Sequence, residues 1–241
     1  MSTSTAIELE PTGTPREELE SVVVRFAGDS GDGMQLTGNQ FTLATALAGN
    51  DLATFPDFPA EIRAPIGTTF GVSAFQINFG ARKIATAGDA PDVLVAMNPA
   101  ALKVNLGDVK PGGTVIVDTG TFTARNLKKA GFDSDPLEGD ALDGYQVMEI
   151  DISKLTMEAV KDNELSNKEA LRSKNMWTLG LIYWLYDRDR GPTVDWLRGK
   201  FAKRGDIAEA NIAALNAGHI YGESTEATGG MRGYTVRQAE I

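Results

Sequence analysis

The chain contains no cysteine and one histidine, His219, in 241 residues. The missing sulfur excludes disulfides, thiolate zinc sites, a cysteine nucleophile and a self-contained iron–sulfur cluster. A lone histidine cannot build a multi-histidine metal site, and nothing near it resembles a nucleophile elbow. Long apolar runs are missing too: none reaches the roughly 18 residues that span a bilayer. Met1 to Glu20 has neither the positive start nor the apolar stretch of a signal peptide. It reads as a loose acidic leader, and the expected location is the cytoplasm. Basic side chains are the minority, 23 against 33 acidic, for a formal net charge of −10. That balance argues against nucleic-acid binding, which rests on Lys and Arg neutralising phosphates. The deficit is uneven: residues 1–171 hold 13 basic and 25 acidic side chains, and 172–241 hold 10 and 8. The C-terminal part therefore presents the surface better suited to a more acidic partner.

What is present begins with Ser21 to Ala27, a β-branched apolar run of the kind found in a buried strand. It leads into Gly28-Asp-Ser-Gly-Asp-Gly33 and then a helix from Met34 to Leu47, stopped by Gly49-Asn50. Leu52 to Phe55 reads as a short strand. The segment Pro56 to Gly67 carries three prolines in ten residues, which precludes regular pairing and predicts a loop. Val72 to Phe79, Asp92 to Met97, Thr114 to Asp118 and residues 145–150 read as further strands. Helices are expected at Ala100 to Leu106, with Pro99 in the first turn, and at 123–130. Strands alternating with helices up to residue 150 predict an α/β fold: three layers, α/β/α, around a mainly parallel sheet. After Ile150 the pattern turns helical, at Ile152 to Val160, Lys174 to Tyr186, Thr193 to Phe201 and Asp206 to Ile220. Ser166 to Glu169 fits a capping box, Thr225 to Gly233 reads as a loop, and Tyr234 onward as a strand start or linker. The expected organisation is a leader (1–20), an α/β core (21–150) and a helical extension of the same domain (151–241).

The strand–glycine turn–helix unit is the strongest site signal. Such a turn sets backbone N–H groups and a positive helix end at the strand's C-terminal edge, a general anion site. Its spacing, G-x-x-G-x-G, is not that of the dinucleotide fingerprint, and no acid closes the second strand. A phosphate-binding P-loop is absent. Asp29 and Asp32 would face a pyrophosphate with like charge. Three readings stay open on the residues alone: a tight turn needing glycine for positive φ, a phosphate or polar-ligand site, or a subunit contact. Arg63, on the proline-stiffened loop, suits bidentate capture of phosphate or carboxylate, and equally a salt bridge to Glu61. Asn98 reads as a helix cap, Asn175 and Met176 as capping and packing residues. Trp177, Tyr183 and Trp184 lie on a helix apolar around most of its circumference, a core or interface pattern. His219 reads as a partner of its helix's C-terminal dipole.

Four stretches carry a family resemblance: Val24 to Gly38, Phe55 to Pro65, Ala90 to Leu102, and Ser173-Lys-Asn-Met176. Together they resemble the gamma domain of 2-oxoacid:ferredoxin oxidoreductases, in the form at the N-terminus of the 2-oxoglutarate enzyme's alpha subunit. The resemblance covers about residues 21–237. Much of that family has Gly-Gly-Gln-Gly in the turn; here Asp32 takes the glutamine position, as in the 2-oxoglutarate-type branch. The resemblance implies a component of an enzyme that decarboxylates a 2-oxoacid on thiamine diphosphate. Electrons pass through iron–sulfur clusters to ferredoxin, and the acyl group goes to coenzyme A. Thiamine diphosphate, its Mg and a 4Fe-4S cluster would sit on partner domains or subunits, with none bound by this chain alone and no catalytic residue here. Coenzyme A would be contacted by Gly28, Asp29, Ser30, Gly31, Asp32, Gly33, Met34 and Gln35, with Arg63 as the cation offsetting Asp29 and Asp32. Gly31-Asp-Gly33 opens like a thiamine diphosphate motif, yet no Asn pair follows at the required distance. The alternative is a free-standing nucleotide- or coenzyme A-binding regulatory module.

Overall fold

Side-chain alternation along one strand divides the molecule in two. The computed structural model describes residues 16–58 and 71–240. In it Glu17–Leu19 forms β1 and Ser21–Asp29 forms β2. Val22, Val24 and Phe26 of β2 enter one hydrophobic core, and Ala27 enters another on the opposite face. A strand buried on both faces reads as a continuous apolar run, which is why β2 stood out in the sequence.

The remaining elements follow in order: α1 (Met34–Leu47), β3 (Asp51–Asp57), β4 (Val72–Gly80), β5 (Val93–Ala96), α2 (Pro99–Asn105), β6 (Thr114–Asp118), α3 (Ala124–Ala130) and β7 (Gln146–Ile150). Then come α4 (Ile152–Ala159), α5 (Asn167–Ala170), α6 (Lys174–Leu185), α7 (Gly191–Lys200), α8 (Gly205–Ala227) and β8 (Tyr234–Val236). The sheet order is β3-β4-β2-β5-β6-β7. β2, β5, β6 and β7 pair in parallel, and β4 runs antiparallel to both of its neighbours. The first face carries α1, α4, α6 and α8; Phe41 of α1 sets its ring edge-on against Phe26 and Phe79, at 5.8 and 5.3 Å between centroids. The second face is covered by Ala101 and Leu102 of α2 over Leu94, Ala96, Val115 and Val117. The expected three layers around a mainly parallel sheet are therefore present.

Every residue of α6 from Asn175 to Leu185 is buried, because α8 lies directly against it. A side chain on Gly180 would overlap the Leu215 carbonyl, and one on Gly218 would overlap the Trp177 carbonyl. One turn further, Gly222 makes room for the Trp184 ring. Trp177, Tyr183 and Trp184 are thus core residues, and Tyr183 anchors its hydroxyl on the Gln40 carbonyl at 3.0 Å.

Several expectations are corrected here. The chain before Ser21 is not loose throughout: β1 pairs in parallel with β8 (Glu17↔Tyr234, Leu19↔Val236), and Arg16 Nη1 donates to the Trp184 carbonyl at 2.8 Å. β3 continues through Pro56 to Asp57, which is possible because β3 is an edge strand and Pro56 need not donate outward. Helix α8 runs to Ala227, so the loop expected from Thr225 starts later. His219 accordingly lies inside α8 rather than at its end, 3.3 Å from Glu223 one turn on. Burial and nearby Arg190 hold its pKa below the ordinary imidazole range. The Ser166 capping box forms as expected, with both reciprocal bonds. Among the described residues, no helix is long and apolar enough to cross a membrane.

Candidate functional site

The glycine-rich turn closes on itself. Asp32 N–H donates to the Asp29 carbonyl at 2.9 Å, and Asp29 N–H donates back to Asp32 Oδ2 at 2.9 Å. Gly28 lies buried beneath this loop; a methyl group there would stand 2.9 Å from Asp32 Oδ2. Gly33 caps α1 with φ 75°, the left-handed region, and its Cα packs against the Asn175 amide. Gly33→Val combines a left-handed β-branched residue with overlap of Asn175. It should cost about 2 kcal/mol or more, read as a lowered urea midpoint, and an unchanged midpoint would refute this account of the turn.

Around the loop the sheet's C-terminal edge assembles a polar network. Asn98, at the end of β5, accepts from Ala101 N–H at 2.8 Å as the cap of α2. Its Nδ2 donates to Asp29 Oδ1 at 2.9 Å and to Asp32 Oδ2 at 3.3 Å. Lys174, the first residue of α6, places Nζ 3.3 Å from Asp32 Oδ1 and 3.8 Å from Asp118 Oδ2. Asp118, fully buried at the end of β6, accepts from Ser153 N–H at 3.0 Å and from Ser153 Oγ at 2.7 Å. Burial, with Asp32 alongside, pushes the Asp29 carboxyl above the ordinary aspartate range. Burial also pushes Asp118 up, against the lowering pull of Ser153 and Lys174.

Asp29, Asn98, Pro99, Ala100, Asn126 and Lys129 line a crevice of about 110 Å³ at this edge. It lies between the C-terminal ends of β2 and β5, where α1 goes to one face and α2 to the other. That is the topological switch point at which open α/β sheets bind ligands. Of the turn's two aspartates only Asp29 lines it, and Lys129 lies on the same lining, so the crevice offers both a carboxylate acceptor and a cation. Among the described residues, no group of three or more His, Asp or Glu is placed to hold a metal ion.

The predicted site residues separate into three groups. Ser30 and Gly31 are exposed at the tip, Asp29 is exposed beside them but holds its carboxylate in against Asn98, and Asp32 and Gly33 are partly exposed. Gly28 and Met34 are buried, Met34 at 1% exposure, and support the turn from below. Gln35 Nε2 is engaged within the chain, donating to the Ala74 carbonyl at 2.8 Å and to Ser73 Oγ at 3.1 Å. Arg63 and Glu61 lie outside the described residues. The cation seen beside Asp32 is Lys174, where the sequence reading had assigned that task to Arg63. Lys174, Asp118 and Ser153 were missed as site residues. The available signals were an aspartate ending a buried strand and a lysine opening an otherwise apolar helix.

The family model for pyruvate ferredoxin/flavodoxin oxidoreductase matches residues 23–221, from β2 into α8. The chain belongs to this family. Within the pyruvate ferredoxin/flavodoxin oxidoreductase family it is 56% identical, over 214 residues, to the 2-oxoglutarate oxidoreductase subunit KorA of Mycobacterium tuberculosis. That match takes in 89% of this chain and 33% of KorA, so the chain spans about a third of that relative's length. The ketoisovalerate oxidoreductase subunit VorA of Methanothermobacter marburgensis is 36% identical over 104 residues, 43% of this chain and 21% of VorA. Among solved structures, the 2-oxoglutarate:ferredoxin oxidoreductase of Magnetococcus marinus, with 2-oxoglutarate, coenzyme A and succinyl-CoA bound, superposes with a TM-score of 0.69 at 26% identity. The overlap covers 92% of this chain and 34% of that one. The keto/oxoacid ferredoxin oxidoreductase gamma subunit of Geobacter sulfurreducens shares the fold, at a TM-score of 0.55 and 19% identity, over 84% of this chain and 99% of that subunit.

Proposed function

We propose that this chain is the gamma component of a 2-oxoglutarate-type 2-oxoacid:ferredoxin oxidoreductase, active only together with thiamine-binding domains or subunits. The observation that carries the proposal is the 56% identity to KorA across 89% of the chain. In the reaction, 2-oxoglutarate and coenzyme A give succinyl-CoA and carbon dioxide, and two electrons pass to ferredoxin. Thiamine diphosphate supplies the carbanion chemistry, and with its Mg and a 4Fe-4S cluster it belongs to the partners on this reading. This chain's part is to frame the coenzyme A region.

The charges at the turn indicate how. Asp29 and Asp32 repel a phosphate, and Lys174 is already committed to Asp32 and Asp118. The exposed tip, Ser30 and Gly31, therefore faces the uncharged amide-bearing arm of coenzyme A, whereas Arg63 takes a phosphate. Arg63→Ala in the assembled oxidoreductase should raise the KM for coenzyme A about tenfold or more, the loss of one charge-assisted contact. An unchanged KM would end the clamp role. The component reading itself is tested by reconstitution. Purified alone, the chain should not reduce ferredoxin with 2-oxoglutarate and coenzyme A; co-expressed with its partner subunits, it should. Turnover by the isolated chain would overturn the proposal.

A further inference from the structure

Two carboxylates stand side by side in the glycine turn. Asp32 Oδ2 accepts from Asp29 N–H at 2.9 Å, and Asn98 Nδ2 reaches Asp29 Oδ1 at 2.9 Å and Asp32 Oδ2 at 3.3 Å. Carboxylates bridged by one amide nitrogen repel each other, and Gly28 to Gly33 contains no cation of its own. The counter-charge comes from elsewhere in the chain. Lys174 Nζ stands 3.3 Å from Asp32 Oδ1, with its side chain at 13% exposure, where salt and solvent screen it little. Lys129 draws on Asp29 as well, more weakly than Lys174 does. Where Lys174 sits is decided by the core and not by the loop. It opens α6, in which Asn175 to Leu185 are all buried and Gly180 lies against the Leu215 carbonyl of α8. Its ammonium is also 3.8 Å from Asp118, which Ser153 holds in turn. The next residue, Asn175, packs on Gly33, so the start of α6 meets the turn at two points.

We propose that Lys174 is a positioning residue for coenzyme A: it pins Asp32 to the core and so fixes the exposed Ser30–Gly31 tip that the coenzyme meets. The inference rests on the reading that the glycine turn frames the coenzyme A region. Lys174 acts through Asp32, without contact with the ligand, because its N–H donors serve two carboxylates that the chain itself provides. Without that charge, Asp29 and Asp32 face each other with Asn98 and the weaker pull of Lys129 to restrain them. Their repulsion then loads the contacts that close the loop, the Asn98 bridge and the bond from Asp29 N–H to Asp32 Oδ2. A misplacement of about 1 Å at the tip is enough to cost a well-oriented ligand contact.

Lys174→Met by itself strands Asp118, a fully buried carboxylate, so the test is made in Asp118→Asn. That background keeps a polar group for each Ser153 contact and needs no cation there. In the assembled oxidoreductase, adding Lys174→Met to Asp118→Asn should raise the KM for coenzyme A about tenfold or more. The KM for 2-oxoglutarate should stay at its Asp118→Asn value. Lys174→Arg in the same background, which still carries a charge to Asp32, should restore most of the loss. A second readout needs no partner. In the full chain, the Asp29 amide proton, bonded to a carboxylate, should resonate downfield, move upfield in Asp118→Asn/Lys174→Met, and return with Lys174→Arg. This signal does not depend on activity, so the pinned turn stands or falls on it even where the oxidoreductase assignment fails. An Asp29 signal indifferent to Lys174 would overturn the proposal. So would a working complex whose KM for coenzyme A ignores Lys174→Met, or one in which both KM values rise equally, the mark of general loosening.

Discussion

Lys174→Met will lower the stability of the folded chain by about 3 kcal/mol at neutral pH, the scale for breaking a buried charge network from one side. The methionine keeps the length and apolar stem of lysine but leaves Asp118, fully buried, and Asp32, with its side chain at 17% exposure, without their shared cation. The loss should depend on pH in a definite direction. Asp118 and Asp29 already have pKa values raised above 3.8 in the folded protein. The folded state therefore binds protons more tightly than the unfolded one, and these two carboxylates oppose folding at neutral pH. Their penalty is relieved as pH falls through the raised values toward 3.8. Without Lys174 the raised values climb further, so the gap between variant and parent should narrow steadily on acidification. Urea unfolding at a series of pH values measures this, with Lys174→Arg as the charge-preserving control. A loss that stays constant from neutral pH down to about pH 4 would show that Lys174 acts by packing alone.

Gly218→Leu will be at least as damaging, for a steric reason. At the α6–α8 crossing the two backbones touch through Gly180 and Gly218, and any Cβ on Gly218 meets the Trp177 carbonyl. Since the obstacle is backbone inside a buried helix, it cannot swing aside as a flexible side chain would. Overpacking of this kind costs about 3 kcal/mol or more, and even Gly218→Ala should be clearly destabilised. Gly199, in α7, has nothing within 4 Å of a built Cβ. Gly199→Ala should gain up to about 1 kcal/mol from helix propensity and reduced unfolded-state entropy. If the two alanine variants unfolded at the same denaturant concentration, the close crossing described for α6 and α8 would be wrong.

The sheet was legible where burial leaves a compositional trace. β2, β5 and β6 carry apolar side chains to both faces, so their runs announce themselves without long-range information. α6 announced itself in the same way. Strand direction leaves no such trace: the period of two is identical for parallel and antiparallel pairing, so the reversed β4 was not readable. β1 and β8 are three residues each and lie at opposite ends of the chain; their pairing depends on the completed core. The end of α8 was placed too early: the helix carries on past Ile220 through Gly222, whose lack of a side chain makes room for the Trp184 ring, to Ala227. At the site, local spacing identified the turn. Its counter-charge was hidden because Asp32, Asp118 and Lys174 meet only once β2, β6 and α6 are docked.

The β1–β8 ribbon has a mechanical consequence. Its strands run side by side in the same direction, with residue 16 entering at one end and residue 237 leaving at the other. Tension applied between those points slides one strand along the other, loading the ribbon's hydrogen bonds together instead of peeling them one at a time. The ribbon also sits at the N-terminal edge of the sheet, next to the starts of β2 and β5. A pull on the chain's ends is thus borne by a shear clasp at one edge, and the glycine turn at the other edge is spared the strain.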